Sequence, residues 1–204
     1  MKKYLLLIAL AAAVTSQANV QFVTLGGGAM FNVTNSGTTR TVFAGELKMK
    51  NLNTNANFVS YCADLDAVIG FGQSWNCFET LASTVSVNMA AAGRITGDNF
   101  FATSTNEQKA GLQVAIWEAI YDNGTNGGGN APDFSAGVFS AAANATILGW
   151  ATTYYASVLV PGDAQYIEPI PTNAGQAQLY VVPEPASMAV LGAGVVALLR
   201  RRKK

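Results

Sequence analysis

The chain has no histidine and only two cysteines, Cys62 and Cys77, among its 204 residues. Without histidine there is no imidazole base for a Cys-His or Ser-His nucleophile pair. Zinc loses its commonest nitrogen ligand as well, and two cysteines fifteen positions apart do not form a zinc pattern. Charge is scarce, at 12% of residues, and segregated. Lys2 and Lys3 lie at one end and Arg200 to Lys204 at the other. Between them the only bases are Arg40, Lys48, Lys50, Arg94 and Lys109, whereas all twelve acids lie in that span or at its far edge. Five bases against twelve acids leave the central body at about −7. Nothing there supplies the basic patch that phosphate neutralisation needs, so no nucleic-acid partner is expected.

The two ends read as addresses. Lys2 and Lys3 precede an apolar run from Tyr4 to Val14, and Ser16-Gln17-Ala18 puts small residues at both cleavage-determining positions. This pattern predicts a secretory signal peptide, residues 1–18, cut after Ala18. The apolar run is well short of the roughly 20 residues of a spanning helix. Export would place both cysteines where disulfides are allowed.

At the other end, Pro183-Glu184-Pro185 is followed by an apolar stretch from Ala186 to Leu199 and a basic stop from Arg200 to Lys204. The stretch is short for a bilayer and carries Gly192 and Gly194, which suits transient insertion with the basic end cytoplasmic. This three-part order resembles the PEP-CTERM sorting signal of Gram-negative bacteria. The resemblance covers residues 182–204 and implies an exosortase acting near Pro183, Glu184 and Pro185. It also implies transient anchoring in the membrane by the C-terminal helix, then delivery to the cell surface or extracellular matrix.

Between the addresses, residues 19–181 predict one exported domain. "VQFVTL" and "TRTVFAGELKMKN" read as strands, with Gly26 to Gly28 and Asn35 to Gly37 as turn signals. Glu46, Lys48 and Lys50 alternate with Leu47 and Met49, the pattern of a strand with one wet face. "STNEQKAGLQVAIWEAIYDNG" predicts a helix opened by Ser104 and Glu107 at capping-box spacing and closed by Asn123-Gly124. A second helical pattern spans about residues 135–159, with Gly149 weakening its centre. "AQYIEPI" and "AQLYVV" return to extended structure. Strands, helices, then strands predict an α+β fold: a mainly antiparallel, barrel-like sheet with a helical insertion at about residues 100–160.

Metal and cofactor chemistry finds little support. Asp122, Asn126, Gly127 and Asp133 form an oxygen-rich loop, but Gly124 stands where a calcium loop of the EF type needs a ligand. No metal and no cofactor is expected. Cys62 with Asp64 or Asp66 as base would make an unusual hydrolase. A Cys62–Cys77 disulfide would make a non-covalent structural or carbohydrate-associated matrix protein, with the bridge closing a short loop worth about 3 kcal/mol.

Three motifs point elsewhere: "SYCADLD" around Cys62, "LQVAIWEAIYD" around Gln113 and "AQLYVV" around Gln178. Together they resemble the thioester domains of bacterial surface proteins, over residues 57–182. In that family a cysteine sulfur condenses with a late-strand glutamine, and the internal thioester then traps a nucleophile on another surface. The resemblance implies Cys62 as sulfur donor, Gln178 as acyl donor, and Gln113 and Trp117 as supports from the helix. Gln176 is a rival acyl donor, and Leu112 stands where the family often has a polar residue. The expected function is adhesion by one covalent coupling to an amine on an extracellular polymer or surface protein, with no enzymatic turnover. Whether Cys62 joins Gln178 or Cys77 stays open at this level.

Overall fold

A computed structural model of the protein describes residues 16–122, 131–156 and 164–182. Its elements are β1 (Ser16–Asn35), β2 (Thr38–Asn51), β3 (Asn57–Cys62), β4 (Ser74–Leu81), α1 (Val87–Asn99), α2 (Asn106–Tyr121), β5 (Phe139–Ala142), α3 (Ala145–Ala156), β6 (Gln165–Ile170) and β7 (Gln178–Tyr180). Strand order is β2-β3-β7-β6-β4-β1-β5, every pairing is antiparallel, and β1 also pairs with β2. Six strands therefore close into a ring. β5 adds to β1 at Asn32–Asn35, beyond the stretch of β1 that β4 covers. The α+β expectation with a barrel-like antiparallel core agrees with this architecture.

Alternation along the strands sorts inside from outside. Residues directly opposite on paired strands share a face. Pairing thus links Cys62, Gln178 and Ile167 in one row, and Ala18, Cys77 and Pro169 in another. Ser60, Leu47, Val20 and Trp75 lie on the same inward face, and all are buried. Lys48 points to water, as the alternation around Leu47 and Met49 predicts, and Asn76 on β4 does the same.

Gly26 to Gly28 do not form a turn. β1 runs through them with a register shift between Leu25 and Gly28, and Gly28 pairs with Gly45, whose φ is +149°. A Cβ on Gly28 would run into the Ala44 carbonyl, so these glycines let two strands cross closely. The hairpin turn is at Ser36 and Gly37, where φ is +50° and +79°, as the second turn signal predicts.

The helical region begins earlier than expected and is interrupted. α1 is capped by Ser86, whose side chain accepts from the Met89 N–H. α2 carries a capping box, but one residue later than predicted: Thr105 is the N-cap and Gln108 reaches back to it, while Ser104 adds two bonds to Gln108, from its N–H and its hydroxyl. Every residue from Ala110 to Ala119 is buried, so α2 is a central helix packed on β1 and β2, α1 and α3. The second helical pattern divides. Phe139–Ala142 pairs with β1 as a strand, and among the described residues of the pattern Ala145–Ala156 is helical, started by Asn144 Oδ1 accepting from Ile147 N at 2.9 Å.

β1 starts at Ser16, so residues 16–18 of the expected signal peptide supply three of the six β1–β4 pairs. The apolar leader core, most of the Asp122–Asp133 loop and the C-terminal sorting segment lie outside the described residues. Among the described residues no helix is long and apolar enough to cross a membrane.

Candidate functional site

Cys62 ends β3 on the barrel's inner face, opposite Gln178 of β7. Antiparallel pairs alternate between hydrogen-bonded and non-hydrogen-bonded rungs, the latter with closer side chains. The next rung, Ala63 with Ala177, is hydrogen-bonded, Ala63 N–H donating to Ala177 O at 2.9 Å. Cys62 and Gln178 therefore form a non-hydrogen-bonded rung, the close type, with Cβ atoms about 4.5–5.5 Å apart.

In such a rung the backbone N–H and C=O of Cys62 point away from β7, toward β2. The β2–β3 ladder stops at Leu47 and Ser60, so no strand meets them. Gln113 of α2 does. Its Oε1 accepts from Cys62 N at 2.8 Å and its Nε2 donates to Cys62 O at 2.8 Å, a side-chain carboxamide replacing a peptide rung. This is why a glutamine is fully buried in the middle of α2.

The sulfur is held by the turn that follows it. Cys62 Sγ donates to Asp64 O at 3.0 Å and accepts from Asp64 N at 3.3 Å. Burial pushes the thiol up to about 12, with the Asp64 N–H and the Trp117 indole pulling the other way. The indole N–H lies near the sulfur but makes no hydrogen bond of good geometry, which leaves Trp117 a buried, unpaired donor beside the thiol. The turn itself is fixed by Asp64 Oδ1, which accepts from Asp66 N and Ala67 N, by Tyr121 Oη accepting from Leu65 N, and by Arg40, which bonds Leu65 O and Asp66. Asp64 and Asp66, the alternative bases of the hydrolase reading, are thus committed to the turn or to Arg40, and the sulfur's hydrogen bonds go to Asp64 backbone.

Gln178 is fully buried, and its carboxamide is held at both ends. Oε1 accepts from Ser60 Oγ at 3.1 Å, and Nε2 donates to Gln176 Oε1 at 2.9 Å. Gln176, the rival acyl donor, spends its own Nε2 on Asp64 O and Ala67 O, at 3.0 and 2.8 Å. It clamps the turn behind the sulfur, while Gln178 stands opposite Cys62. A cavity of about 250 Å³ reaches the site, lined by Cys62, Trp117 and Gln176 and by apolar side chains that include Phe22, Leu47 and Leu65. Gln178 is not part of its wall.

Cys77 lies elsewhere. Two strands separate β4 from β3 whichever way the ring is followed, so the cysteines occupy opposite walls, beyond the roughly 7 Å between Cα atoms that a bridge spans. Both sulfurs are free, and that of Cys77 donates to Ala18 O at 3.5 Å. A Cys62–Cys77 disulfide does not fit this fold. Among the described residues, no group of three or more cysteines and carboxylates could hold a metal ion.

Ser60 and Tyr121 lie inside the quoted motifs, at the start of "SYCADLD" and near the end of "LQVAIWEAIYD", but as site residues they had no expected role. Ser60 was accessible in principle, because a residue two before Cys62 on one strand shares its face. Tyr121 follows Trp117 by one helical turn and carried no other signal.

Residues 181–203 match the PEP-CTERM protein-sorting motif. The chain thus carries the signal of an exported protein, an exosortase substrate held transiently in the membrane before it is processed. No curated protein and no solved structure matches the chain.

Proposed function

We propose that the exported body forms an internal thioester between Cys62 Sγ and Gln178 Cδ and uses it for one covalent attachment to an amine on a surface or matrix partner. The observation that carries this reading is the close rung, which sets Cys62 and Gln178 directly opposite each other on a buried inner face. Cys62 gives up its proton, the thiolate Sγ attacks Cδ in the slow step, and the Cδ–Nε2 bond breaks as the nitrogen takes up that proton and leaves as ammonia. A partner amine then attacks Cδ, the Cδ–Sγ bond breaks, and an amide forms as Cys62 regains its proton. The acyl group is spent on one partner while Cys62 returns as a free thiol, so the module binds covalently without turnover and is not an enzyme.

The surroundings favour survival of such a bond. Burial keeps water from Gln178, the cavity admits a nucleophile past Trp117 on the Cys62 side, and Gln113 fixes the backbone that carries the sulfur. Exosortase processing would deliver the reactive domain to the cell surface, where an extracellular polymer or a surface protein supplies the amine. Intact mass of the denatured protein after thiol blocking tests the proposal. The expected species lacks one ammonia and carries one blocking group, on Cys77. Full mass with two blocked thiols, or loss of two hydrogens, would overturn it.

A further inference from the structure

We propose, resting on the thioester reading above, that Ser60 and Gln176 form a catalytic clamp: Ser60 Oγ–H stabilises the charge developing on Gln178 Oε1, and Gln176 Oε1 holds the departing nitrogen. The orientation follows from donors and acceptors alone. Asp64 O and Ala67 O are backbone carbonyls and can only accept, so the end of Gln176 that meets them must be its NH2 group. Its Oε1 is then the atom facing Gln178, which must present Nε2 in return. That leaves Gln178 Oε1 toward Ser60, whose hydroxyl donates to it. Two fixed carbonyls thus set the direction of a carboxamide two links away.

The chain of bonds closes on the nucleophile. Asp64 O, one of those two carbonyls, also accepts from Cys62 Sγ. Nucleophile and electrophile are therefore referenced to the same backbone atom. As Sγ attacks Cδ, the carbonyl π pair moves onto Oε1, where the buried Ser60 hydroxyl already points. Collapse restores the carbonyl and expels Nε2, protonated by the thiol proton, from beside Gln176 Oε1. Aminolysis reuses both contacts. Oε1 is now the thioester carbonyl oxygen, still facing Ser60, and the vacated Gln176 acceptor receives an N–H of the incoming amine.

The rates decide it. In newly synthesised full-length chain, ammonia loss is followed by intact mass over time, and aminolysis by adding methylamine once the thioester has formed. Ser60→Ala should slow both steps about a hundredfold, with near-UV circular dichroism unchanged, and Ser60→Thr should restore much of the rate by returning the hydroxyl. Gln176→Ala, at a partly exposed site, should also slow both steps; it decides the matter alone where Ser60→Ala fails to fold. Wild-type rates in the folded variants would overturn the clamp and leave the thioester standing. A wild-type chain that keeps its ammonia would remove both.

Discussion

At the scale of single residues, the ionisation of Cys62 would set the speed of the proposed thioester chemistry. Its thiol is pushed up to about 12 by burial, so near neutral pH only a trace is thiolate. Thioester formation is therefore expected to accelerate about tenfold per pH unit between about pH 7 and 10, following the thiolate fraction. A mass time course that levels off near pH 9, the value of an ordinary thiol, would show that the sulfur is not buried as described. Trp117 fits this picture. Its unpaired N–H beside the sulfur partly offsets the burial, and its ring packs on Phe139 at 6.1 Å.

Elements explain what the sequence could and could not tell. Gln113 is the instructive case, since its buried carboxamide serves as a strand rung delivered from a helix. Gln113→Leu keeps the volume but strands the N–H and C=O of Cys62. Each buried, unsatisfied group costs about 1–3 kcal/mol, so a loss of stability on that scale is expected in denaturant titration, with slower ammonia loss as the rung loosens. The motif that contains Gln113 was visible in the sequence, as were the α+β class, the hairpin turn at Ser36-Gly37 and the wet face around Lys48. Closure of the barrel was less visible, because it depends on β1 serving β2 on one edge and β4 and β5 on the other. α1 was overlooked since small residues such as Ala90 to Gly93 give no apolar stripe. Phe139–Ala142 passed for helix because a four-residue segment is too short to show a decisive period. Its strand state comes from the free edge of β1. Glycine signals misled at Gly26 to Gly28 for a related reason: close crossing and turning both need a residue without a Cβ.

For the molecule as a whole, pH should act on stability through Glu118. This buried side chain of α2 accepts from Asp133 N at 3.1 Å through Oε1, while Oε2 has no partner. Burial raises its pKa to about 7, helped by the negative charges of Asp122 and Asp133 and opposed by the Asp133 N–H. An unfolded chain titrates this group near 4.5, so the folded state holds the proton more tightly. The resulting stabilisation is complete below about pH 4.5 and is lost as pH rises through about 7. Melting temperature is expected to fall between pH 5 and pH 8. Glu118→Gln, which keeps an oxygen for the Asp133 N–H, should flatten that fall; an unaltered slope would place its origin elsewhere.

β7 is three residues long and leads directly into the sorting motif. A partner joined to Gln178 would sit only five residues before Pro183. Tension between the partner and a cell holding the C-terminal side would then pass along that short piece of main chain and bypass the barrel. Shear strong enough to unravel the domain would leave the tether intact, and grip would depend on covalent bonds alone.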